Sequence, residues 1–219
     1  MDNRIAAVIA ARTNEEVYTQ IRHVSEYLKP TDLIEWRADA LEEKADVEQI
    51  INASAYEILF TLRHMSQSGG VFGFNGEEDE RMQLFARASK AGAAYVDIEY
   101  DASKKKLMLP ANSLDVSTIV VGSYHNFTLP PDTPGFEFLS KVVDNILSSK
   151  AVAKIAMICA KEEHADVLKE LHHKYENRII VSGMGKFAYR SGLWEYVGTQ
   201  YVSTANGQKM LEEVRLKKS

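Results

Sequence analysis

The chain has 219 residues, 45% of them hydrophobic, which is enough for one large domain with a proper core. Its formal net charge of −5 argues against a nucleic-acid-binding face. No apolar run approaches the ~20 residues of a membrane helix, the N-terminus lacks a signal peptide's layout, and the single cysteine, Cys159, excludes an internal disulfide and a cysteine zinc cluster. A soluble, cytoplasmic protein is expected.

Short Val- and Ile-rich runs alternate with amphipathic segments along the whole chain. The runs predict strands at about 4–10, 33–39, 57–63, 95–100, 118–125, 152–158, 178–183 and 199–203. Between them, Val17, Ile21, Val24 and Leu28 recur at helical spacing, as do Leu139, Val142, Val143 and Ile146, and then Ala165, Leu168 and Leu171. Thr13-x-x-Glu16 is a capping box for the first helix. Thr133-Pro134 reads as a cap followed by proline at the first helical position. A helix over 103–113 is also expected, although Pro110 lies inside it.

Eight strand-then-helix units imply a parallel sheet. Closed on itself, that sheet is a (β/α)8 TIM barrel, here a single domain over residues 1–219. A doubly wound open sheet is the competing fold. In a barrel the active site lies at the C-terminal ends of the strands, so polar residues there become candidates.

Several such residues stand out in chain order. LIEWRAD puts Glu35, Arg37 and Asp39 on one face, where a charged row must be paired or bind something polar. FTLRHMSQSGG ends the third strand with Arg63 and a glycine pair, Gly69-Gly70, but no phosphate-binding glycine motif is present. YVDIEY offers Asp97 and Glu99 as counter-charges for a buried cation. VVGSYHNF places His125 at a strand end, where a general base belongs; the bland alternative is a satisfied structural histidine. AVAKIAMIC buries Lys154 in the middle of the sixth strand. Neighbouring Arg37, Arg63 or Arg190 and apolar walls are expected to depress its pKa, and a neutral amine suits imine formation with a ketone or aldehyde. A lysine merely paired with Asp97 or Glu99 is the structural alternative. Arg190 and Gln208 are either helix-surface residues or, at the functional rim, residues that bind a carboxylate. No spacing suggests a metal site.

These segments resemble the type I 3-dehydroquinate dehydratases. IEWRAD, FTLR…GG, YVDIEY, GSYHNF, AKIAM, GMGKFAYRSG and, more loosely, TANGQ occur in that family's order from about Leu33 to Gln208, with SYHNF followed by KIA the strongest pair. The resemblance implies a usually dimeric (β/α)8 barrel needing no cofactor and no metal. It implies that Lys154 forms an imine with the C3 ketone of 3-dehydroquinate. His125 would remove a C2 proton and return it to the departing C1 hydroxyl in a syn elimination. Glu35 and Arg37 would hold the ring hydroxyls with Arg63 assisting, and Trp36 of the same motif is carried over as substrate-binding. Arg190 and Gln208 would hold the carboxylate, with Met184 beside the ring and Thr204 in the place of a family serine. A homodimer is expected, with the small-molecule substrate as its one other partner.

Two departures from the family pattern are visible. A glutamate that orients the histidine precedes the glycine pair in many members, whereas this chain has Gln67 and Ser68. A water or Asp97 is the expected substitute. The stretch before Gln208 is shortened, and Thr204-Ala205-Asn206-Gly207-Gln208 replaces the usual Ser-Ala-Pro-Gly-Gln. The competing functions are another lysine Schiff-base barrel, such as a class I aldolase, and a catalytically inactive ligand-binding barrel.

Overall fold

The computed structural model describes residues 4–70, 72–108, 113–128 and 133–218. Its strands are β1 (Ile5–Ile9), β2 (Leu33–Arg37), β3 (Glu57–Thr61), β4 (Tyr95–Asp101), β5 (Lys106–Leu107), β6 (Ile119–Asn126), β7 (Val152–Ile158), β8 (Ile179–Met184), β9 (Arg190–Gly192) and β10 (Glu195–Val197). The α-helices are α1 (Asn14–Ser25), α2 (Val47–Ala53), α3 (Glu78–Lys90), α4 (Phe136–Ser148), α5 (Glu162–Tyr175) and the short α6 (Leu211–Val214).

Hydrogen-bonded neighbours run β10-β1-β2-β3-β4-β6-β7-β8, every pair parallel. The sheet is curled so that its two ends meet. The Leu193 amide donates to Ile179 O on the β8 side, and two residues later the Glu195 amide donates to Arg4 O beside β1. The result is a nearly closed barrel whose eight staves are β1, β2, β3, β4, β6, β7, β8 and β10.

Alternation along each strand divides the side chains into two sets. Ala6, Val8, Leu33, Leu59, Tyr95, Val121, Ile180, Trp194 and Tyr196 fill the barrel. The opposite face packs on the helices, which bury Val17, Ile21, Val24 and Leu28 from α1, Leu139, Val142, Val143 and Ile146 from α4, and Leu168 and Leu171 from α5. Both faces of the strands are therefore covered, which is why the strands read as continuous apolar runs. Trp36, Phe60 and Phe85 form a T-shaped column in this outer layer, with centroids 5.3 and 5.7 Å apart; each such contact is worth ~1 kcal/mol beyond its buried area. The capping box forms as expected, with the Thr13 hydroxyl accepting from the Glu16 amide.

Four expectations are corrected. The eighth stave is β10, not 199–203. The chain turns at Gly198, whose amide donates to Lys209 O, and Thr199 and Val202 bond each other across a tight turn. Among the described residues of 103–113 there is no α-helix. Lys105 adopts a positive φ of 53°, and Lys106–Leu107 returns as a strand antiparallel to β4; Pro110 lies outside the described residues. Thr133-Pro134 stands before α4 rather than opening it, and Gly135 is the N-cap. Finally, β9 folds back antiparallel on β8 where a helix was expected. This requires Gly192, at φ +123°, since a Cβ there would sit 2.1 Å from Ile179 O.

Candidate active site

Above the apolar plug, the inward positions near the C-terminal strand ends turn polar. Leu33, Glu35 and Arg37 succeed one another on β2, and Val121, Ser123 and His125 on β6. On β7, Lys154 pairs with Ser123 in register, and His125 lies beside Ala156. These side chains open on one cavity lined by Glu35, Arg37, Arg63, His125, Lys154, Met184, Arg190, Thr204 and Gln208. The sequence-predicted site residues thus converge, with one exception. Trp36 is fully buried in the outer layer against Phe60, because alternation turns it away from Glu35 and Arg37 and onto the helices. It cannot touch a ligand in the cavity.

Lys154 is 6% exposed. Its Nζ donates to Asp97 Oδ2 at 2.8 Å, lies 3.7 Å from Glu35 Oε1, and stands 4.1 Å over the centroid of the Tyr196 ring. The counter-charge left open between Asp97 and Glu99 is therefore Asp97. Glu99 is occupied elsewhere: Oε2 accepts from Arg81 Nη1 at 2.7 Å, and Oε1 accepts from the His64 amide at 2.8 Å.

Asp97 also accepts from Ser123 Oγ at 2.5 Å and pairs with Arg63 Nη2 at 2.9 Å. Burial alone would raise its pKa, but Arg63 and then Lys154 outweigh burial and hold the carboxyl well below the usual range. Burial alone would lower Lys154, and here the Asp97 and Glu35 charges prevail, so the resting ammonium is held above its ordinary value. This corrects the expected depression. Two of the three arginines counted as neighbours are themselves neutralised, Arg63 by Asp97 and Arg37 by Asp39 at 2.9 and 2.6 Å.

His125 is shifted the other way. Burial, then the Arg63 and Lys154 charges, keep its pKa well below 6.5, so the imidazole is neutral. Its Nδ1 is buried and has no partner among the described residues. Asp97 does not take over the orienting role, because its oxygens are spent on Ser123, Lys154 and Arg63. What holds the ring is packing. Phe127 stacks on it at 6.1 Å and 15°, and Gly69 (φ +65°) presses on Phe127 so closely that a Cβ there would lie 2.7 Å from its ring. Gln67 lines the cavity, with its amide 3.8 Å from Met108 Sδ.

Opposite the lysine, Arg190 donates through Nη2 to Asn206 O at 3.2 Å, while its Nε and Nη1 are buried and unpartnered among the described residues. Unpartnered guanidinium donors on a residue that lines the cavity suit an anion such as a carboxylate. Gln208 is held by its own loop, with Oε1 accepting from the Thr204 amide at 2.9 Å. Tyr196, Ser182 and Phe127 also line the cavity and were not anticipated. Tyr196 was hidden by the misplaced eighth strand; Ser182 was recoverable from the alternation of β8. Among the described residues no group of three or more His, Cys, Asp or Glu side chains is placed to hold a metal ion, and no helix is long and apolar enough to cross a membrane.

With this geometry in place, comparison with known proteins is decisive. The family model for type I 3-dehydroquinase matches residues 5–202. The chain belongs to the type I 3-dehydroquinase family. A 3-dehydroquinate dehydratase of Methanocaldococcus jannaschii is 31% identical over 173 residues, covering 78% of this chain and 76% of the relative. One from Aromatoleum aromaticum is 25% identical over 221 residues, covering 94% and 82%. Among solved structures, the Geobacillus kaustophilus 3-dehydroquinate dehydratase superposes with a TM-score of 0.78 at 22% identity, covering 98% of this chain and 89% of that one. A Clostridium difficile type I 3-dehydroquinate dehydratase carrying covalent modified comenic acid gives 0.77 at 18%, covering 97% and 89%. At those identities the structures speak for the fold, which is the (β/α)8 barrel. The match to the family model stops before Thr204 and Gln208, so the loop that closes the cavity at Arg190 lies beyond it.

Proposed function

We propose that this chain dehydrates 3-dehydroquinate to 3-dehydroshikimate through an imine on Lys154, with His125 moving the protons. The observation that carries the reading is that Lys154 and His125, on paired strands, open on one cavity with Arg190, whose Nε and Nη1 have no partner among the described residues.

The charge states set the order of events. Lys154 rests as an ammonium, so its first act is to lose a proton. Asp97 is a poor acceptor because Arg63 and Lys154 hold its carboxyl down, whereas His125 is neutral and its Nδ1 has no partner among the described residues. The freed amine attacks the C3 carbonyl carbon. The carbonyl oxygen gains protons and leaves as water, and the nitrogen becomes a cationic iminium. That cation is an electron sink, so neutral His125 can take a C2 proton and leave an enamine. The enamine expels the C1 hydroxyl, which takes the proton back from His125 and departs as water. Hydrolysis of the product iminium restores Lys154. One residue serves both proton steps because the elimination is syn, and general acid–base transfer of this kind typically supplies ~10²–10⁴-fold.

Glu35, which accepts from Thr61 Oγ1 at 2.9 Å, and Arg37 would hold ring hydroxyls. Arg190 and Gln208 would hold the carboxylate, with Thr204 and Met184 at the rim. Arg63 is spent on Ser123 and Asp97, so its part is electrostatic more than ligating. The same reading treats residues 1–219 as a single catalytic domain and expects a cytoplasmic homodimer, which light scattering checks.

Adding 3-dehydroquinate should raise the ultraviolet absorbance of the conjugated enoate product. Borohydride added with substrate should leave a mass increment on the peptide holding Lys154. Full activity with Lys154 unmodified would sink the mechanism. The unpartnered His125 Nδ1 favours one second reading, a barrel that binds the ketone without turning it over. Trapping without product would select it.

A further inference from the structure

Among the described residues, Tyr196 is the one aromatic whose ring face lies against the reactive nitrogen. It projects from β10 into the barrel, is 5% exposed, and lines the cavity. Lys154 Nζ stands 4.1 Å above its ring centroid and 2.8 Å from Asp97 Oδ2. Its ring packs beside the indole of Trp194, with centroids 6.3 Å apart, so one face of the phenol stays turned to the lysine.

We infer that Tyr196 is a positioning residue for Lys154, its ring face holding the nitrogen opposite Asp97 and favouring the cationic forms of that nitrogen over the neutral amine. A cation over a desolvated aromatic face is attracted by the ring quadrupole. Two states along the proposed path carry that cation: the resting ammonium and the iminium. The ring therefore opposes loss of the first proton and stabilises the electron sink that follows. The phenol is no rival base. Burial pushes its pKa up, so it stays neutral near pH 7 and offers the lysine a quadrupole rather than a charge.

The other groups bearing on Lys154 come from every neighbouring stave: Glu35 from β2, Arg63 beyond β3, Asp97 from β4 and His125 from β6. All of these residues are retained in the Tyr196 variants, so comparing ring-bearing with ringless variants isolates the ring. The iminium half of the inference rests on the proposed function; the ammonium half does not.

The experiment titrates Lys154 directly in the full chain. The protein is treated with cyanate, which carbamoylates neutral amines, across a pH series, and modification of the Lys154 peptide is read by mass spectrometry. Wild type, Tyr196→Phe, Tyr196→Leu and Tyr196→Met are compared, with circular dichroism confirming the fold of each. Tyr196→Phe should follow wild type. Tyr196→Leu and Tyr196→Met should shift the profile about one pH unit lower, an approximately tenfold faster modification at fixed pH. Superimposed profiles for the ringless variants, or an equal shift in Tyr196→Phe, would overturn the inference. Borohydride trapping with 3-dehydroquinate in wild type tests the function separately, so a failure of one is not mistaken for a failure of the other.

Discussion

Asp97 holds two cations at once: Oδ2 lies 2.8 Å from Lys154 Nζ and 2.9 Å from Arg63 Nη2. One buried carboxylate therefore sets both the charge of the nucleophile and the place of the arginine beside it. Asp97→Asn keeps the shape and removes the charge. It leaves two buried cations facing each other, and breaking a buried pair in this way costs ~3–5 kcal/mol. Chemical denaturation should show that loss. In whatever fraction folds, Lys154 titrates lower, so borohydride trapping should set in at lower pH than in wild type. An unchanged trapping profile would remove Asp97 from its controlling role.

Removing the other end is milder. Lys154→Met leaves Asp97 still paired with Arg63 and accepting from Ser123, so no orphan charge is created. Stability should change by no more than ~1–2 kcal/mol in either direction, while trapping and turnover disappear. A stability loss as large as that of Asp97→Asn would show that the ammonium, rather than the carboxylate, holds the network together.

The contrast between those two variants marks what the sequence carries and what it does not. Glu35, Arg37, Asp97, His125 and Lys154 were legible because strand alternation and strand ends are local properties. Trp36 was misassigned where a motif was followed residue by residue and the alternation that turns it outward was set aside. Tyr196 went unseen because Tyr201-Val202-Ser203 is as plausible a strand as Glu195–Val197; only closure of the barrel against β1 distinguishes them. The sign of the Lys154 shift was out of reach for another reason. It depends on which arginines are already neutralised, and Arg37–Asp39 and Arg63–Asp97 pairing is tertiary information.

Among the described residues no carboxylate bonds the His125 ring, which stacks on Phe127, and this makes Gly69 a sensitive position. Gly69→Ala would place a methyl 2.7 Å from Phe127 Cε1 and force an alanine to φ +65°. The backbone term alone is ~1 kcal/mol. The displaced Phe127 would release the His125 ring, so kcat should fall ~10-fold with imine trapping intact, as expected when only the proton-transfer step is impaired. Equal loss of trapping and turnover would mean that the loop positions substrate instead.

Arg190 is the test of anion recognition. Its Nε and Nη1 have no partner among the described residues, so replacing it breaks only the bond to Asn206 O. Arg190→Gln should leave stability within ~1 kcal/mol. Hydrogen bonds to a charged group are worth ~1.5–3 kcal/mol each, so losing two donors to a bound anion should lower kcat/KM by at least ~100-fold, chiefly through KM. Arg190→Lys should recover little, because an ammonium cannot reproduce the planar fork. Full recovery by lysine would indicate charge attraction without a bidentate contact.

His125 should leave a signature in stability as well as in rate. Its folded pKa lies well below 6.5, since burial and the Arg63 and Lys154 charges oppose protonation. In the unfolded chain the imidazole binds a proton below about pH 6.5. Between those two values the unfolded state holds more protons, so stability rises with pH there. The contribution of His125 is fully present above pH ~6.5 and is lost as the pH falls toward the folded value, with a slope of up to ~1.4 kcal/mol per pH unit. His125→Gln removes one titrating group and nothing else in that window. Urea denaturation at pH 7.5, 6.5 and 5.5 should therefore show the wild-type advantage over His125→Gln shrinking as the solution is acidified. A difference that stays constant, or grows toward acid, would mean that the imidazole is protonated in the folded protein and cannot serve as the resting base.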